Sequence, residues 1–260
     1  MGTHSSSLGD SPRDRVAALR QRLEVLESGG RPVRTVLPFG LAEIDNLLPN
    51  KGLALSALHE IAGVGSEEED GAVAAAFLAG ILARLRPEQP VLWCLGEGDL
   101  YAPGLAAFGF DPRRLILVRT RRSQETLWAM EEGLRCPALA AVVGEVDALS
   151  LPASRKLLLA AEASGVTGFA LRRWRNGAAA APQRLMPHAA QTRWRVTALP
   201  GETFADEPGV GRALWRVELW RSRGGMPATW MMEACDAAGH VSLAGAMADR
   251  SATRPASRAG

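Results

Sequence analysis

The chain has 260 residues, 47% of them hydrophobic and 22% charged, and a formal net charge of +2. That is the composition of an ordinary globular protein with one large core, and its charge is too balanced to mark a nucleic-acid or membrane partner. No apolar run reaches the ~18 residues needed to span a bilayer. Cys94, Cys136 and Cys235 lie far apart without zinc-ligand spacing. An odd cysteine count without a leader-like start leads us to expect a reducing, cytoplasmic setting. Nearly all basic residues are Arg, with Lys51 and Lys156 the only lysines. Together with the abundant Ala this reads as GC-rich coding bias, so an Arg cluster is weak evidence by itself.

In chain order, residues 13–27 predict an amphipathic helix with Val16, Leu19, Leu23 and Leu26 on one stripe, stopped at Ser28-Gly29-Gly30. Leu37 to Asp45 opens the core, with Ile44, Leu47 and Leu48 continuing a short helix. A first strand is expected over Leu55–Ile61 and a helix over Ala72–Leu85. Strands at Pro90–Leu95, Leu115–Val118, Ala138–Val143 and Val166–Leu171 alternate with helices at Gln124–Leu134 and Ser154–Ala163. Apolar strands alternating with helices predict a parallel, helix-covered sheet. Asn176–Gln191 is rich in Ala and Pro and reads as a loop or hairpin. Arg193–Leu199, Ala213–Trp220 and Ala228–Ala234 read as an antiparallel meander, with Trp194, Trp215, Trp220 and Trp230 expected in the core. In the first of these strands Trp194, Val196 and Ala198 share one face, and Arg193, Arg195 and Thr197 the other. From Met247 onward no apolar periodicity remains, and a disordered tail is expected.

The most informative segment is Leu58-His59-Glu60-Ile61-Ala62-Gly63-Val64-Gly65-Ser66-Glu67-Glu68-Glu69-Asp70-Gly71, between a strand and a helix. A phosphate-binding loop would sit here, ending in Gly, Lys and Ser or Thr. The Gly admits the phosphates, the Lys neutralises them and the hydroxyl holds Mg²⁺. Those three places hold Glu68, Glu69 and Asp70. Each carboxylate would repel a phosphate by about 4 kcal/mol at ~4 Å and an effective dielectric near ~20. ATP binding at this degenerate loop, which starts at Gly63, is therefore opposed by charge reversal. The acidic run also reads as a capping box, Ser66 at N-cap and Glu69 at N3, with Glu67 and Glu68 in the first turn. Its spacing fits no Ca²⁺ loop. Gly63-Val64-Gly65 cannot become a dinucleotide fingerprint, because Glu68 stands in the third Gly position. His4, His59, His188 and His240 form no catalytic pairing, and His59 is expected to point into packing or a neighbouring loop. We expect no cofactor, no metal and no catalytic residue.

Two Arg clusters follow strands: Arg119, Arg121 and Arg122 after the third, and Arg172, Arg173, Trp174 and Arg175 after the fifth. Ligand sites in parallel sheets lie beyond the carboxyl ends of strands. These residues are therefore candidates for contact with a protein partner or with single-stranded DNA. A solvated Arg-rich rim is the alternative.

Several motifs occur in a fixed order. They are Leu37-Pro38-Phe39-Gly40 with Ile44-Asp45, His59-Glu60-Ile61 before Gly63, Cys94-Leu95-Gly96-Glu97, Leu105 to Asp111, Arg114-Leu115 and Ala141-Val142-Val143. In this order the chain resembles the RecA-like core, and most of all the ImuA-type mutagenesis accessory proteins, from about Leu37 to Leu243. The resemblance implies a RecA-like α/β fold: a mainly parallel sheet flanked by helices, with a C-terminal antiparallel meander and an N-terminal helix. Glu97 falls at the position of a catalytic glutamate. The Mg²⁺-associated Asp expected after the fourth strand is Gly144, with Glu145 next and Asp147 beyond. Two of three nucleotide elements thus depart from a working ATPase, a departure that ImuA-type proteins share. The implied role is non-enzymatic, in SOS-induced translesion synthesis and mutagenesis. The implied partners are an inactive Y-family polymerase relative of the ImuB type, RecA and an error-prone replicative-type polymerase. Alternatives are a SulA-type division inhibitor binding FtsZ and an active RecA/RadA-type ATPase. The expected organisation is an N-terminal segment, 1–30, a core with a degenerate P-loop, 31–246, and a tail, 247–260.

Overall fold

The computed structural model describes residues 35–64, 70–96, 100–173, 186–201 and 213–244. Contacts divide the chain after Arg34, and every described residue belongs to the second unit. The expected N-terminal helix and C-terminal tail lie outside the described residues.

Among the described residues the backbone of the fold is a nine-stranded sheet in the order β11-β10-β9-β8-β3-β7-β6-β4-β5. Its parallel part comprises β3 (Leu58–Gly63), β4 (Val91–Leu95), β5 (Leu115–Arg119), β6 (Ala141–Val146), β7 (Thr167–Arg172) and β8 (Thr192–Leu199). β9 (Leu214–Ser222), β10 (Ala228–Glu233) and β11 (Ser242–Leu243) extend it antiparallel. The mainly parallel α/β sheet with a C-terminal antiparallel extension expected from the chain is thus present, with one correction. β8 is parallel to β3 and only its other edge begins the meander, because the long connection from β7 lets β8 run in the same direction. A small second sheet pairs β1 (Val36–Leu37) with β2 (Leu53–Ala54) around the short helix α1 (Ala42–Asp45).

One face of the sheet is covered by α2 (Ala72–Arg84), an Ala-rich helix buried along most of its length. Its small residues let it lie close to the strands. Phe77 meets Phe39, Trp194 and Trp215 with ring centroids 6.3, 5.8 and 6.4 Å apart. The carboxylate of Asp45 accepts hydrogen bonds from the amides of Phe39 (2.8 Å) and Gly40 (2.9 Å), fixing the turn that sets Phe39 into this cluster. The Leu37–Asp45 motif is thereby explained as packing. The other face carries α3 (Ser123–Leu134) and α4 (Leu151–Ser164), whose Met130, Leu134, Leu157 and Ala161 pack with Leu58, Cys94, Val142 and Ala170. Ser150 caps α4 by accepting from the Ala153 amide at 3.3 Å.

His59 is buried in packing, as expected. Its Nε2 lies 2.8 Å from the Ala54 carbonyl, which can only accept, so Nε2 carries the proton. Nδ1 lies 2.7 Å from the Thr192 hydroxyl oxygen, and the indole of Trp194 donates to the same oxygen at 2.7 Å. These contacts tie β2, β3 and β8 together.

Candidate functional site

Strand β3 ends at Gly63, where a phosphate-binding loop would begin, and the chain re-enters a helix through a wider, π-type turn at Asp70 and Gly71. Glu68, Glu69, the Ser66–Glu69 capping box and Glu97 lie outside the described residues. At the α2 entry itself, Gly71 occupies the N-cap position with helical dihedrals and no side-chain cap bond.

Asp70 stands where a working loop has its metal-binding hydroxyl, and it is buried. Its Oδ1 accepts a hydrogen bond from the Ala198 amide of β8 at 2.8 Å. The register explains why that amide is available: β3 and β8 pair as far as Gly63↔Val196, and Ala198 lies two residues beyond. Asp70 therefore continues the ladder where β3 stops. The helix entry also lies directly against the end of the strand. A Cβ on Gly63 would come within 2.8 Å of the Asp70 carbonyl oxygen and 2.9 Å of its Cβ. The close approach of the helix entry to the strand end therefore depends on Gly63 having no side chain.

The metal side of the site differs from the sequence expectation in its geometry. Gly144 lies within β6, not after it, and on the α3 face, away from α2. A Cβ there would sit 2.0 Å from the Sδ of Met130. Side chains alternate along a strand, so the acid on the α2 face is Glu145. It accepts from the Trp93 indole at 2.9 Å and lies 3.5 Å from Arg173. Its carboxylate is engaged by the fold. Asp147, in the following loop, accepts from the Ser123 hydroxyl at 2.7 Å and joins α3 to the end of β6. Among the described residues no group of three or more His, Cys, Asp or Glu side chains could hold a metal ion.

A buried charge cluster on β3, β7 and β8 went unrecognised in the sequence. Glu60, on the face opposite α2, receives the Nε of Arg193 at 2.9 Å, lies 2.7 Å from His188 Nε2 and 3.9 Å from Arg172. Burial alone would raise the Glu60 pKa. The His188 hydrogen bond and the charges of His188, Arg193 and Arg172 outweigh it and hold the carboxyl below its ordinary value. Arg172 also donates to the Asp147 carbonyl at 2.7 Å, and Arg193 to the Met186 carbonyl at 3.3 Å. The available signal was a carboxylate inside a six-residue strand otherwise free of acids.

The two Arg clusters therefore differ. Arg172 is only 3% exposed and braces the sheet, and Arg173 is bound to Glu145, so neither belongs to a solvated rim. Trp174 and Arg175 lie outside the described residues. Arg119, Arg121 and Arg122 are exposed. Arg122 pairs with Glu125 at 2.9 Å, and the same carboxylate accepts the Arg121 amide at 2.9 Å. Nor is Trp220 a core residue. It is the extra residue of a bulge in β9, only partly buried, and the guanidinium groups of Arg193 and Arg195 lie over its ring at 4.5 and 3.9 Å.

Fold and site together define an α/β protein with a mainly parallel, helix-covered sheet, in which Asp70 at the entry of α2 serves as a strand latch. Protein ImuA from two strains of Caulobacter vibrioides, NA1000 / CB15N and ATCC 19089 / CIP 103742 / CB 15, is in each case 42% identical over 219 residues. The match covers 83% of this chain and 89% of the relative. The chain belongs to the ImuA family. No protein-family model matches it. Among solved structures, the crystal structure of the RadB recombinase overlaps 76% of this chain and 95% of its own, with a TM-score of 0.47 and 16% identity. No helix among the described residues is long and apolar enough to cross a membrane.

Proposed function

We propose that this chain is a non-enzymatic accessory protein of SOS-induced translesion synthesis, acting in the cytoplasm. Its partners in this reading are an ImuB-type inactive polymerase relative, RecA and an error-prone replicative-type polymerase. The observation that supports it best is the bond from the Ala198 amide to Asp70, which gives the last loop position a structural task in place of Mg²⁺ binding. Use of this position for Mg²⁺ would compete with that bond. Without an ATPase cycle the fold is left as a rigid surface for other proteins. Of the described Arg residues considered, Arg119, Arg121 and Arg122 are the exposed ones and the candidates for partner contact.

The test is affinity capture from DNA-damaged cells with the full chain as bait. The ImuB-type protein and RecA should be captured by the unmodified chain and lost, or strongly reduced, with Arg119→Glu, Arg121→Glu and Arg122→Glu combined. If partner capture is unaffected while retention of single-stranded DNA falls, the cluster serves DNA instead. If neither partner is recovered with the unmodified chain, the accessory reading is wrong.

A further inference from the structure

We draw no further inference here: the strongest candidate, the outer surface of α3 and α4 where Trp128 and Leu159 are 65% and 61% exposed, is an apolar patch, and nothing in the structure shows what covers it.

Discussion

The carboxylate of Asp70 accepts the Ala198 amide at 2.8 Å, so the residue that enters α2 is also the continuation of the ladder between β3 and β8. A position that would serve catalysis in a working loop is thereby tied to stability. Asp70→Ala leaves that amide without its partner and should cost about 1–3 kcal/mol in a denaturant melt. Asp70→Asn keeps an acceptor oxygen and should cost less. Equal stability of the Ala variant and the unmodified chain would show that the bond contributes nothing.

Gly144 and Met130 form a second coupled pair. A Cβ at 144 would meet Met130 Sδ at 2.0 Å, so Gly144→Ala should destabilise by about 1–3 kcal/mol through overpacking. Met130→Ala makes room, and the double variant should therefore be more stable than the sum of the single effects predicts. A double-mutant cycle of thermal or denaturant melts measures this directly. Strict additivity would mean that the helix shifts away at no cost.

Glu60 should dominate the acid limb of stability. Its carboxyl is held below the ordinary 4.5 by His188, Arg193 and Arg172 against the opposing effect of burial. A lowered folded-state pKa means the unfolded chain takes up the proton first. The contribution is therefore complete above the unfolded value of about 4.5 and is lost as pH falls through the folded one. Glu60→Gln should remove that loss from the pH profile. At neutral pH it should also lower stability by about 3–5 kcal/mol, because it leaves buried guanidinium groups without their counter-charge. An unchanged profile would mean that Glu60 titrates as an ordinary carboxyl.

The parallel part of the sheet was legible because each strand is a short apolar run bounded by Gly, Pro or a helix, and that pattern survives in a single sequence. β1, β2 and β11 were missed because a two-residue pairing has no periodicity to detect. The direction of β8 was misread because its alternating face looks the same whether its neighbour is parallel or antiparallel. At the site, the departure from a phosphate-binding loop could be read from charge alone, but the task of Asp70 depends on a strand 128 residues away in sequence. The same limit hid the cluster of Glu60, Arg172, His188 and Arg193, drawn from three strands and a loop. Arg172 looked like a rim residue because sequence places it at a strand end without showing that Glu60 lies beneath it. Gly144 was read as following its strand because the apolar run stops at Val143, whereas β6 continues to Val146.

The central claim is that the former nucleotide position is held by the protein itself. Titrating the full chain with ATP and Mg²⁺ in a calorimeter tests it most directly. No saturable heat and no accompanying rise in melting temperature are predicted, for the unmodified chain and for Glu69→Lys alike, since a restored cation still lacks the Gly and hydroxyl beside it. Saturable micromolar binding by the unmodified chain would contradict the account.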